Sequence, residues 1–259
     1  KVAKETDEFA QKLIERFWPG PLTLVLKKSP LLPDIVTSGL KTVALRMPSH
    51  PVALNLIREA KTPVAAPSAN LFGKPSPTCA RHVLEDLRNK IELVIDAGGT
   101  EVGLESTVLD LTQKPFTILR LGAVSVEELQ SVIPGIKLYR EKKILAPGMF
   151  KRHYSPRAKV IVVEEGRTQI EKVKRLARKF LEEGKRVGIM AKEENKNKYQ
   201  NFKIKVLGRG NDFRTCASNL FSLLREFDRE KFDIIIVEGI KEKDLGRTIM
   251  ERLRKAQGV

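Results

Sequence analysis

Three prolines fall within the stretch Val64 to Thr78, VAAPSANLFGKPSPT, and they forbid the regular element that its apolar start would otherwise continue. Val64-Ala65-Ala66 reads as a strand that breaks at Pro67. Beyond it Pro67, Pro75 and Pro77 restrict the backbone and Gly73 permits a turn. Ser68, Asn70, Ser76 and Thr78 supply short hydrogen-bonding groups able to reach phosphate or sugar oxygens. A plain polar connection between strand and helix, with Thr78 as the N-cap, accounts for the same letters. The neighbouring segments decide between the two readings.

Residues 5–17 place Phe9, Leu13, Ile14 and Phe17 at helical spacing, and Pro19-Gly20-Pro21 ends the element. Strands are expected at 22–27, 42–47, 63–66, 91–96, 106–111 and 116–121, with helices near 51–60 and 79–89. That pattern is an α/β domain with a mixed sheet. Ser125 followed by Glu128 is a capping-box signature for a helix to about Val132. Periodicity then fades from Pro134 to Pro156, which reads as an interdomain linker whose end, Lys151 to Pro156, has the composition of a lid. Expected strands at 159–164, 186–191, 203–207 and 233–238 alternate with helices at 168–183, 212–227 and 244–256. Such alternation specifies a small parallel, Rossmann-like sheet. Gly208-Arg209-Gly210 is too short for a dinucleotide fingerprint. The expected domains are therefore 1–133, a linker at 134–156, and 157–259.

The formal charge of +16 points to anionic partners, nucleotide phosphates or nucleic acid. Residues 1–156 carry 22 basic and 16 acidic side chains, whereas 157–259 carry 26 and 16. The excess thus spreads over solvated helices such as 171–185 as well as the loop region. No run approaches the roughly 18 apolar residues of a membrane span, and no signal segment is legible, so a soluble cytoplasmic protein is expected. Cys79 and Cys216 have no metal-ligand spacing and fall in different expected domains, which argues against a disulfide framework.

Arg46, at the end of an apolar strand in VALRMPSHP, and Arg120, in ILRLGA, are each placed to hold a carboxylate or a phosphate. A structural ion pair is the competing role for each. His50, His82 and His153 are too scattered for a metal site, and His50 is read as structural. Cys79 has no catalytic partner, and Ser106 lacks a G-x-S-x-G elbow.

Taken in order, WPGPLT, VALRMPSHP, APSAN with PSPT, ESTVLD and ILRLGA strongly resemble the YrdC-like threonylcarbamoyl-AMP synthase family. APGM with HYSP (Ala146 to Pro156) and the extra α/β unit resemble its two-domain form found in archaea, fungi and many bacteria. The resemblance implies a twisted mixed-sheet YrdC-like domain, the linker, and a smaller Rossmann-like domain. It implies condensation of L-threonine, bicarbonate and ATP to L-threonylcarbamoyladenylate and pyrophosphate, with Mg2+ on the polyphosphate, toward N6-threonylcarbamoyladenosine in tRNA. Carried onto this sequence, Arg46, Ala66 and Ser106 would bind L-threonine. Thr42, Ser68, Asn70, Ser76, Arg120 and Tyr154 would contact ATP, with no covalent intermediate and no metal ligand from a side chain.

Family members also carry a segment preceding the position that matches Lys1, with a Thr-rich turn and a Lys-x-Arg phosphate clamp, and nothing in this sequence matches it. The expectation is weak or no synthase activity from this stretch alone, since charged contacts of that kind contribute roughly 2 to 4 kcal/mol each to the transition state. An RNA-binding module of the same fold, without catalysis, is the alternative, although only 6% of residues are aromatic and no stacking motif is present. A carbamoyl-transfer domain of the hydrogenase-maturation type would need zinc fingers that two cysteines cannot build. A monomer is expected, with a threonylcarbamoyl-transferase complex as partner and tRNA served indirectly.

Overall fold

The computed structural model describes residues 2–139 and 153–258. In chain order, the elements up to residue 139 are α1 (Glu8–Phe17), β1 (Leu22–Lys27), β2 (Thr42–Leu45), α2 (Pro51–Ala60), α3 (Ala80–Leu87), β3 (Thr107–Asp110), β4 (Thr117–Arg120), α4 (Val126–Val132) and β5 (Lys137–Leu138). After residue 153 come β6 (Lys159–Val163), α5 (Gln169–Glu182), β7 (Val187–Lys192), β8 (Lys203–Gly208), α6 (Phe213–Arg229), β9 (Ile234–Glu238) and α7 (Leu245–Gln257). They assemble into two compact units, 2–67 with 105–139 and 68–104 with 153–258. Most of the expected linker, and with it the APGM motif, lies outside the described residues.

The first unit holds a mixed sheet of order β2-β1-β3-β4-β5. β1 runs antiparallel to β2 and parallel to β3, and β3 runs antiparallel to β4. Asp7 caps α1 by accepting a 2.8 Å bond from the Ala10 amide, and the helix ends at Trp18, whose indole nitrogen donates to the Leu22 carbonyl. α1 packs beside α4, and Leu13, Leu22, Leu24, Leu109, Ile118 and Leu129 form the centre of one core. The capping box at Ser125 is present with both of its reciprocal bonds. His50 is structural, its Nδ1 accepting from the Val52 amide at the start of α2.

Two expected strands do not form. Residues 63–66 and 91–96 form no regular element, and among the described residues no strand pairs with them. A strand is stable only when a neighbour takes its alternating donors and acceptors, so apolar composition alone did not suffice. Val64, Leu93 and Ile95 are accordingly about half exposed or more, at 48%, 75% and 54%.

The second unit carries an all-parallel sheet of order β6-β9-β7-β8. α5 covers one face, while α6 and α7 cover the other. β7 and β9 are buried along their whole length. Glu238 ends β9 fully buried, yet every one of its oxygens is used. Tyr199 and Asn195 donate to Oε1 at 2.8 Å each, and the Lys192 amide donates to Oε2 at 2.6 Å. Burial and then the bond to Glu238 push the Tyr199 phenol well above its ordinary value.

Candidate active site

The strand directions of the first unit bring four chain segments to one end of its sheet. β1 and β3 begin there, in register at Leu22 and Thr107, while β2 and β4 finish there at Leu45 and Arg120. The residues at those positions are the polar members of the sequence motifs. Arg46 donates from Nε to the Gly20 carbonyl at 3.0 Å. Arg120 donates from Nε and Nη2 to the Ser106 carbonyl, at 3.2 and 2.8 Å, and from Nη2 to the Ser106 hydroxyl at 3.1 Å. The Ser106 hydroxyl also meets that of Thr23 at 2.7 Å.

The two guanidiniums raise the local potential. Burial first, and then the charge of Arg120, lower the pKa of Arg46, so an anion placed beside them relieves both costs. Among the described residues no carboxylate forms an ion pair with Arg46. A guanidinium bound only to backbone at a sheet end is equipped for a carboxylate or phosphate.

Close backbone approach fixes this geometry. A Cβ on Gly122 would lie 2.3 Å from the Thr107 nitrogen and 2.4 Å from the Ser106 carbonyl carbon. The Ala123 amide bonds the Glu105 carbonyl, and the Thr107 hydroxyl bridges the Val124 amide and carbonyl. The LGA segment after β4 therefore clamps the ESTV segment entering β3, and only glycine fits at its crossing point.

Within the first unit the structure brings Arg46, Ser106 and Arg120 together. Thr42 stands at the opposite end of β2, in register with Lys27. Its separation from Arg46 is four residues, roughly 13 Å along a strand. Ala66 sits in the exposed stretch before Pro67. Ser68, Asn70 and Ser76 belong to the second unit. Ser68 is exposed, and Asn70 ties the loop by donating to the Leu71 and Lys74 carbonyls at 2.9 and 3.3 Å. Tyr154 is only 1% exposed, with its ring 5.2 Å from Phe221 and 4.9 Å from the Arg252 guanidinium. In this arrangement the tyrosine expected as a lid over the nucleotide is a core residue of the second unit.

Thr78 does not cap α3, because the helix begins one residue later and Cys79 occupies the N-cap. The Thr78 amide instead donates to Nδ1 of His82, at 3.2 Å. Thr23, a residue of the WPGPLT motif not singled out from the sequence, joins the site through its contact with Ser106, and its place in the motif was the available signal. Cys216 is buried, and burial pushes its thiol up to about 12, far from a nucleophile's range. No cluster of three or more His, Cys, Asp or Glu suited to a metal occurs among the described residues.

A mixed α/β sheet followed in sequence by an all-parallel α/β sheet is the architecture of the two-domain YrdC-like class. The Sua5/YciO/YrdC family model, described as "Telomere recombination", matches residues 1–122. The model described as "Threonylcarbamoyl-AMP synthase, C-terminal domain" matches residues 124–258. The chain belongs to the threonylcarbamoyl-AMP synthase family. It is 48% identical to the threonylcarbamoyl-AMP synthase of Pyrococcus abyssi, over 99% of this chain and 76% of that protein. It is 42% identical to the Bacillus subtilis enzyme of the same name, over 97% of this chain and 73% of the other. The crystal structure of P. abyssi Sua5 complexed with L-threonine superposes with a TM-score of 0.91 at 47% identity, covering 99% of this chain and 76% of that one. Among the described residues, no helix is long and apolar enough to cross a membrane.

Proposed function

We propose that the protein is a threonylcarbamoyl-AMP synthase, using L-threonine, bicarbonate and ATP to form L-threonylcarbamoyladenylate and pyrophosphate for tRNA modification. The observation that carries this reading is the convergence of Arg46, Arg120, Ser106 and Thr23 at one sheet end, in a chain whose relatives bear that name along nearly all of its length. A solved relative binds L-threonine, which supports an amino-acid pocket in this chain as well.

In this reading Arg46 holds the threonine carboxylate, with Ser106 and the Ala66 main chain completing the pocket. Arg120 neutralises phosphate charge, and Ser68, Asn70 and Ser76 are nucleotide ligands. Thr42 and Tyr154 are left out, given where they lie. Bicarbonate, as carbon dioxide after loss of hydroxide, forms a bond to the threonine nitrogen, which gives up a proton and yields a carbamate. A carbamate oxygen then attacks the α-phosphorus of ATP while the bond to the bridging oxygen breaks. The electron pair departs on pyrophosphate. Positioning and charge neutralisation suffice for such a transfer, and no enzyme nucleophile enters it. Mg2+ would arrive on the ATP phosphates and supply further neutralisation there.

Incubating the protein with L-threonine, 14C-bicarbonate and Mg-ATP tests the proposal. A low yield of 14C-labelled adenylate, with one unlabelled pyrophosphate released per adenylate and dependence on all three substrates, is expected. ATP turnover that ignores threonine, or a protein that binds neither L-threonine nor an ATP analogue in calorimetric titration, would overturn it.

A further inference from the structure

The loop 68–78 is held within the second unit by the helices of its parallel-sheet part. Arg225 on α6 is 6% exposed, and its Nη2 donates to the Pro75 carbonyl and to Asp86 Oδ2, at 2.6 Å each. Asp86 lies on α3, and the same Oδ2 accepts from the Leu71 amide at 3.4 Å. One guanidinium therefore grips the residue immediately before Ser76 and, through Asp86, the residue immediately after Asn70. A second tether runs from the Ser155 amide to the Gly73 carbonyl at 2.8 Å, and the Ser155 hydroxyl donates to Ala256 on α7. At the far end of the segment, Gly103 has φ +71 and passes so close to α6 that a Cβ would lie 2.6 Å from the Ala217 carbonyl oxygen.

A surface connection does not need a buried cation. Placing a guanidinium away from water is costly unless it is paired and bonded, and here the partners are the loop backbone and the helix behind it. We propose that Arg225 is a positioning residue for the loop that carries Ser68, Asn70 and Ser76, so that the C-terminal domain sets the shape of the nucleotide-binding loop. This rests on the assignment of those three residues to ATP. Arg225 itself touches no substrate. The C-terminal domain thereby gains a specific task, the ordering of a loop that three prolines keep out of regular structure.

Arg225→Met and the conservative Arg225→Lys, in the full chain, test the role. Hydrogen exchange of the 68–84 peptides is expected to quicken in both variants, while peptides over β3 and β4 keep their wild-type rate. The KM for ATP, or the Kd of a non-hydrolysable ATP analogue, should rise about tenfold in Arg225→Met and less in Arg225→Lys, with the KM for L-threonine within about twofold of wild type. A folded variant with unchanged exchange over 68–84 overturns the anchoring. Faster exchange with unaltered nucleotide affinity overturns the positioning role. A wild-type protein that binds neither L-threonine nor the analogue would sink the functional reading above, and the exchange measurement would still decide whether Arg225 anchors the loop.

Discussion

Glu238 in the second unit and Arg46 in the first are both charged residues at sheet ends, and they are treated in opposite ways. Glu238 is fully buried, and three donors of its own unit satisfy it. Arg46 spends one donor on a backbone carbonyl and stands beside a second guanidinium that disfavours its charge. A charge satisfied from within contributes to the fold. One whose surroundings oppose it invites a ligand, and this difference separates framework from site more sharply than burial does.

The widest test of the contrast is Glu238→Ala, which strands the buried Tyr199 hydroxyl and Lys192 amide and removes the acceptor of the half-buried Asn195. Chemical denaturation should show a loss of about 3 to 5 kcal/mol, whereas a loss below 1 would place Glu238 outside the framework. The next effect is acid sensitivity at His82, which is 1% exposed. Burial, followed by the charges of Arg225, Arg229 and Arg81, outweighs Asp86 and lowers its pKa to about 4. The unfolded imidazole takes up its proton near the ordinary value of 6.5, while the folded one stays neutral down to about 4. Stability is therefore complete above 6.5 and is lost as pH falls through that window, by about 3 kcal/mol in all. His82→Asn keeps an acceptor for the Thr78 amide and should flatten the melting temperature between pH 6.5 and 4. An unchanged slope would assign the acid sensitivity to other groups.

In the first unit, Gly122→Ala should cost about 1 to 3 kcal/mol, because the added carbon must push the LGA segment off the Thr107 amide. It should also weaken L-threonine binding by displacing Ser106. Stability lost with binding intact would detach Ser106 from the site. The smallest effect belongs to the solvated surface. Lys179 on α5 and the exposed Glu183 just past its end lie 3.9 Å apart, and Lys179→Ala should change stability by less than about 0.5 kcal/mol.

The two units also differed in how plainly the sequence announced them. β7 and β9 are covered on both faces, so each reads as an unbroken apolar run, and their bounds matched the expectation within a residue or two. Helices with clear caps, such as α4 after Ser125, were equally legible. The runs 63–66 and 91–96 carried the same apolar signal, but strand formation depends on a partner, which composition does not encode. Arg46, Ser106 and Arg120 could be proposed from motif context, yet their meeting at one sheet end follows only from the parallel and antiparallel register. The short β5 has too few residues to show a period. The grip of Arg225 on Pro75 spans 150 positions of sequence, and no local pattern foretells it.

Calorimetric titration of L-threonine into the wild-type protein and into Arg46→Ala tests the central claim most directly. Loss of a charge-assisted carboxylate contact, worth about 1.5 to 3 kcal/mol, predicts a Kd some tenfold to a hundredfold weaker in the variant, with the melting temperature little changed. Equal affinity in the two proteins would contradict the account, because Arg46 would then be a structural arginine and the sheet end would not be the amino-acid site.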